Sequence, residues 1–170
     1  SRMAEKILPK EALYTLPVDV LIPGAEAYAI NSRNSEEVRA KFICPVANIP
    51  YQVGTTDRLK EKNIICFPDF VTNAGGVLSG NLISWGFSED EIEKKVYSKI
   101  YHMLSYLWDN SKNNFYNFAL KYAEDKVCLR RRLEVKYRHV YKLRKKLFFL
   151  KRHIPAGLLR KGYQLIFSRI

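Results

Sequence analysis

Three short apolar runs punctuate the first half of the chain, and each gives way to proline and then to small or amide residues. Val18-Asp19-Val20-Leu21-Ile22 leads into Pro23-Gly24-Ala25, and Lys41-Phe42-Ile43-Cys44-Pro45-Val46 leads into Ala47-Asn48-Ile49-Pro50. Ile64-Ile65-Cys66-Phe67 leads into Pro68-Asp69-Phe70-Val71-Thr72 and then Asn73-Ala74-Gly75-Gly76. Runs of this length are too short for helices, and their apolar character predicts strands buried in a parallel sheet. From Ala25 to Asn48 is 23 residues and from Asn48 to Asn73 is 25. Each interval is close to one strand, one crossover helix and two short loops. Such crossovers are right-handed, so three consecutive units lay their strands parallel with all carboxyl ends on one side. Ala25, Asn48 and Asn73 are therefore expected along one rim of one sheet, where open α/β sheets bind ligands. Gly75 and Gly76 are expected to turn the chain there, since glycine permits positive φ and leaves the backbone bare.

The remaining pattern is helical. Residues 5–16 read as a short helix or turn bounded by Pro9 and Pro17, and Asn34 or Ser35 caps a helix through about Ala40. A second helix begins near Thr56-Asp57 and ends at Asn63, a C-terminal cap. Val77 to Trp85 is expected to be helical. Ser88 with Glu91 forms a capping box for the next helix, in which Ile92, Val96, Ile100, Leu104 and Leu107 share one face and which Asp109-Asn110-Ser111 ends. A long helical segment follows from Asn114 to His153 and stops at Pro155. Ala156-Gly157 is a joint, and Leu158–Ile170 a final short helix or frayed end. The fold class is α/β, a three-stranded parallel sheet with crossover helices followed by a mostly helical C-terminal segment, with a boundary between 1–110 and 111–170.

Charge separates these two parts. Residues 1–129 hold 15 Lys/Arg against 16 Asp/Glu, whereas 130–170 hold 14 Lys/Arg against Glu134 alone. Basicity confined to one end points to nucleic acid, an anionic membrane surface or an acidic partner. Leu129, Leu133, Val140, Leu143, Leu147 and Leu150 form an apolar stripe in this region. Arg130-Arg131-Arg132 and Arg144-Lys145-Lys146 stand beside it with Tyr137, Tyr141, Phe148 and Phe149 interleaved. That arrangement is either a helix docked on the core with a solvated basic face, or a surface for phosphates or anionic lipid. Cys44, Cys66 and Cys128 are odd in number, and two fall in strands, so free thiols in a reducing compartment are expected. His102, His139 and His153 lie far apart, and no Cys/His spacing suggests a metal. No apolar run approaches a membrane span, and a cytoplasmic protein is expected.

The rim motifs resemble a known family. Val18-Asp19-Val20-Leu21-Ile22-Pro23-Gly24-Ala25, Ala40-Lys41, Ala47-Asn48-Ile49-Pro50 and Pro68-Asp69 through Asn73-Ala74-Gly75-Gly76-Val77 are similar, in order and spacing, to the glutamate/leucine/phenylalanine/valine dehydrogenases. The resemblance covers roughly residues 8 to 108 and implies the distal half of a Rossmann-like coenzyme-binding domain. It implies NAD or NADP as cofactor, bordered by Ala25, Asn48, Asn73, Gly75 and Gly76, with the two asparagines near the nicotinamide and its ribose. It implies an amino-acid substrate contacted at Ser79 or Gly80, where glutamate-specific members carry serine one position later than Ser79. Asp69 reads as a strand-end residue that caps or orients its loop rather than a catalytic acid, and Asp19 as structural.

Three features depart from the family pattern. None of the glycines at 24, 54, 75, 76, 80, 86, 157 and 162 make G-x-G-x-x-G, so no helix N-terminus is dedicated to a pyrophosphate. The family's catalytic lysine and aspartate belong to a separate amino-terminal domain that nothing here matches, so no catalytic residue is assigned. Cys44-Pro45-Val46 replaces the acidic residue usual before Ala-Asn. A truncated or degenerate amino-acid dehydrogenase is the expectation, inactive alone, contributing the wall that holds nicotinamide and ribose, and self-associating through an exposed sheet edge. The rival is a non-catalytic binding module whose basic helix within 130–170 contacts nucleic acid or anionic membrane.

Overall fold

Each apolar run supplies one strand: β1 (Val20–Leu21), β2 (Phe42–Ile43) and β3 (Ile65–Cys66). The computed structural model describes residues 9, 11–112, 114–139 and 142. The strands pair in parallel in the order β1-β2-β3, with Val20 beside Phe42 beside Ile65, and Leu21 beside Ile43 beside Cys66. Pro23, Pro45 and Pro68 each stand two positions after the last paired residue. Proline has no N–H to donate, so Pro23 cannot extend the β1–β2 ladder nor Pro45 the β2–β3 ladder, and both stop at the same level.

Alternation along the strands sorts side chains between two faces. Leu21, Ile43 and Cys66 are buried on one face with Tyr14, Ile30, Val38, Tyr51, Leu59 and Ile64. On the other, Ile65 and Phe67 pack against a cluster of Val71, Leu107, Phe115 and Ala119. Rings link that second layer to the sheet, with Phe67 and Phe115 centroids 4.8 Å apart and Phe42 and Trp108 centroids 6.3 Å apart. Phe115 and Ala119 lie beyond residue 110 in sequence, yet they complete this core.

Among the described residues there are six helices: α1 (Ala12–Thr15), α2 (Thr55–Glu61), α3 (Asp69–Thr72), α4 (Gly75–Ile83), α5 (Glu89–Asn110) and α6 (Phe115–Lys136). The end of α2 follows from its sequence. Asn63 takes φ 61, its N–H donates to the Lys60 carbonyl at 2.9 Å, and the Ile64 N–H donates to Leu59 at 2.9 Å. This left-handed cap satisfies two orphan carbonyls and turns the chain straight into β3. In α5 the expected stripe of Ile92, Val96, Ile100, Leu104 and Leu107 is among the less exposed positions, together with Glu91, Met103 and Ser105. One half of the expected capping box forms, Glu91 Oε2 accepting the Ser88 N–H at 2.8 Å.

Two local expectations are corrected. The crossover between β1 and β2 carries no helix, and residues 32–37 form consecutive turns. There Asn34 Oδ1 accepts the Asn31 N–H at 2.9 Å, Asn34 Nδ2 donates to the Ala29 carbonyl at 2.8 Å, and Asn31 Oδ1 accepts the Arg33 N–H at 3.0 Å. Asparagine side chains thus take the backbone groups a helix would have used. Gly75 and Gly76 do not turn either. They open α4, and the positive-φ glycines among the described residues are Gly54 and Gly86. The Asn73 N–H donates to Asp69 and the Ala74 N–H to Val71, so α3 closes its own last turn and α4 follows immediately.

The described residues up to Ala74, with Met103–Leu120, form one compact unit, and Gly75–His102 with those from Lys121 onward form a second. Among the described residues no helix is long and apolar enough to cross a membrane. The expected joint at Ala156-Gly157, the end at Pro155 and the final helix from Leu158 lie outside the described residues.

Ile43 is fully buried at the centre of the sheet, so Ile43→Ala is expected to lower the unfolding free energy by about 3 kcal/mol. The Ser35 hydroxyl is buried without a partner, and Ser35→Ala is expected to hold or raise stability, by up to about 1 kcal/mol. Denaturant titration measures both. Burial pushes the Cys66 thiol up to about 12 from an ordinary 9.0 and raises the Tyr51 phenol as well. Above the ordinary thiol value the unfolded chain sheds a proton that the folded chain keeps. Stability is therefore expected in full below pH 9.0 and to fall as pH rises toward about 12, with a shallower slope in Cys66→Ala.

Candidate functional site

Where the ladder stops, the three chains continue as a rim. Val46 and Ala47 donate their N–H groups to the Pro23 carbonyl at 3.0 and 3.2 Å, which sets Gly24-Ala25 beside the end of β2. A Cβ on Gly24 would stand 2.8 Å from Val46 Cγ2, a close approach only glycine permits without adjustment. Ala25 is exposed, and so is Asn48.

Asn73 reaches the same place from the end of α3. Its Nδ2 donates to Asn48 Oδ1 at 2.6 Å and lies 3.4 Å from the Ala47 carbonyl. Two acceptors on one side fix which end of the Asn73 amide is nitrogen, and hence which end of Asn48 is oxygen. Among the described residues Asn48 Nδ2, a donor, and Asn73 Oδ1, an acceptor, take no hydrogen-bond partner. Asn48 and Asn73, 25 positions apart in sequence, thus meet at one rim.

The backbone beside Asn48 is strained. Ile49 takes φ 52, which a β-branched residue adopts at a cost of about 1–3 kcal/mol, and it precedes Pro50, which further favours extended backbone. Three groups hold it. The Ile49 N–H donates to Asp69 Oδ2 at 2.9 Å, the Tyr28 N–H donates to the Ile49 carbonyl at 2.8 Å, and the Ile30 N–H donates to Pro50 at 2.9 Å. Asp69 therefore does orient a loop, as its strand-end position suggests. Thr72 is a contributor that pattern reading missed. Its hydroxyl donates to the Pro45 carbonyl at 2.5 Å, tying α3 to the end of β2. A threonine one helical turn beyond proline was the only signal for it.

Gly75, Gly76, Ser79 and Gly80 lie on α4 in the second unit. Lys41 and Asp19 stand before β2 and β1, at the opposite ends of the strands, as an exposed ion pair of 2.7 Å. Their hydrogen bond, and then their mutual charge, lower the Asp19 carboxyl and raise the Lys41 amine. A cleft of about 460 Å³ between Asp57, Asn63, Trp108 and Asn117 holds none of the expected site residues. No metal-binding cluster occurs among the described residues. Cys44, Cys66 and Cys128 are free. Arg130, Arg131 and Arg132 are exposed near the end of α6, where Arg130 Nε lies 3.3 Å from Glu134. Leu129 and Leu133 are also exposed there, whereas Val140, Tyr141, Leu143, Arg144-Lys145-Lys146, Leu147, Phe148, Phe149 and Leu150 lie outside the described residues.

A family model described as Glutamate/Leucine/Phenylalanine/Valine dehydrogenase matches residues 1–131. The chain is 31% identical over 117 residues to an NADP-specific glutamate dehydrogenase of Saccharolobus shibatae, covering 65% of this chain and 27% of that protein. It is 29% identical over 124 residues to an NAD-specific glutamate dehydrogenase of Clostridioides difficile, covering 69% and 29% respectively. Among solved structures, the L-tryptophan dehydrogenase of Nostoc punctiforme superposes with a TM-score of 0.63 at 28% identity, over 72% of this chain and 38% of that one. The chain thus spans under a third of the length of these curated relatives.

Thr72→Val keeps the shape of the side chain but removes its donor to the Pro45 carbonyl. It is expected to lower stability by about 1–2 kcal/mol and to shift the Asn73 side-chain amide signals in an NMR spectrum.

Proposed function

This chain belongs to the Glutamate/Leucine/Phenylalanine/Valine dehydrogenase family, and from that premise we propose that its sheet rim holds the nicotinamide-ribose half of NAD or NADP in an amino-acid dehydrogenase. The observation that carries the reading is the 2.6 Å contact between the Asn73 and Asn48 amides beyond the carboxyl ends of a parallel sheet. The donor set fits the group. A nicotinamide carboxamide offers one acceptor and one donor, complementary to Asn48 Nδ2 and Asn73 Oδ1, which take no partner among the described residues. Val46 and Ile49, on either side of Ala47-Asn48, are 55% and 57% exposed and supply apolar surface beside the amides. The backbone at Ala25 borders the same rim. The roles of Gly75, Gly76, Ser79 and Gly80 rest on the family resemblance alone.

When bound, the nicotinamide supplies the hydride acceptor or donor for the Cα of an amino acid. The chain's own contribution is to bind and orient through neutral amides, which hydrogen-bond without changing charge. By the family resemblance, general acid and base groups come from outside this rim: the Lys41–Asp19 pair sits at the other ends of the strands, and the Asp69 carboxylate is engaged by the Ile49 N–H. Relatives specific for NAD and for NADP both match, in keeping with a rim that meets the half common to the two cofactors.

Titration of the full chain with reduced nicotinamide mononucleotide is expected to shift the side-chain amide signals of Asn48 and Asn73, and adenosine monophosphate to leave them in place. Asn73→Ala is expected to weaken binding about tenfold, the scale of one lost hydrogen bond. Absence of any rim shift at saturating mononucleotide would end this reading.

A further inference from the structure

Asp69 and Asn73 stand four positions apart, at the first residue of α3 and just past its last. That spacing puts both side chains on one face of a single helical turn. They take hold of two consecutive residues of the loop after β2. Asn73 engages the side chain of Asn48 at 2.6 Å, and Asp69 engages the backbone N–H of Ile49 at 2.9 Å. The gripped backbone is the one at φ 52, which a β-branched residue before proline leaves for extended conformations when nothing opposes it. A carboxylate is a stronger acceptor for that N–H than any neutral group. Asp69 makes no ion pair among the described residues, so its charge is not committed to a structural salt bridge.

We infer that Asp69 is a positioning residue: by holding the Ile49 N–H it fixes the left-handed backbone that aims Asn48 at Asn73, and so sets the spacing of the two amides that meet the cofactor. The function of this bracket rests on the nicotinamide reading of the rim, whereas its structural effect does not. Asp69 touches no reacting atom in this account and acts through Asn48.

Three variants of the full chain test it: Asp69→Ala, Asp69→Asn and Asp69→Ala combined with Ile49→Gly, with Ile49→Gly alone as reference. Melting curves establish that each is folded. In Asp69→Ala, hydrogen exchange of the Ile49 amide is expected to accelerate about tenfold and the Asn48 side-chain signals to move. Affinity for reduced nicotinamide mononucleotide is expected to fall about tenfold. Asparagine keeps an acceptor oxygen, so Asp69→Asn is expected to stay within about threefold of the unsubstituted chain in both readouts. Glycine occupies positive φ without strain, so in the Ile49→Gly background the loss on removing Asp69 is expected to shrink to under about threefold. A merely structural carboxylate would give equal losses in both backgrounds. Unchanged Ile49 exchange in Asp69→Ala, an Asp69→Asn variant as impaired as Asp69→Ala, or additive losses with Ile49→Gly would overturn the inference. If the mononucleotide leaves the unsubstituted rim unmoved, the cofactor reading falls, and the exchange and Asn48 signals alone decide the role of Asp69.

Discussion

The rim depends on where the parallel ladder stops, and a proline stands at that level in each strand. Pro23, Pro45 and Pro68 stand at equivalent points after Leu21, Ile43 and Cys66. Pro23 and Pro45 lack the N–H groups that would extend pairing, and all three prolines keep a carbonyl that another segment uses. Pro23 accepts from Val46 and Ala47, Pro45 from the Thr72 hydroxyl, and Pro68 from the Val71 and Thr72 N–H groups. Strand pairing is thereby replaced at a single height by hydrogen bonds to loops and to α3. That is why residues from three separate segments come together as a surface.

The surface is held by short-range strain set against polar contacts. Ile49 sits in a backbone conformation that its side chain disfavours, and Tyr28 beside it does so too, at φ 54. The hydrogen bonds between residues 28–30 and 49–52 join the loops after β1 and β2 and oppose that strain. Below them, Tyr51 turns into the core and donates to the Phe67 carbonyl at 2.9 Å, anchoring the same loop to β3. A rim so pinned keeps its amides in place before any ligand arrives, which lowers the ordering cost of binding.

Family membership and the geometry of the rim constrain different things. Membership gives the chemistry of the class. The rim gives a local geometry: two neutral amides in contact at a sheet edge, with the Asp69 carboxylate on the neighbouring Ile49 N–H.

From residue order alone came the three parallel strands, their common carboxyl edge, the meeting of Asn48 with Asn73, the Asn63 cap and the stripe along α5. All follow from periodicity, proline and glycine punctuation, and the fixed hand of crossovers, which are local or topological rules. Tertiary structure alone decided the rest. Asn31 and Asn34 diverted backbone groups from an expected helix into turns, because which partner an amide side chain chooses depends on what lies within reach. Gly75 and Gly76 entered α4 because α3 had already closed its own turn. The left-handed Ile49 could not be read from its letter, since sequence rules disfavour it, and it persists only because groups from residues 28 and 69 converge on it in space.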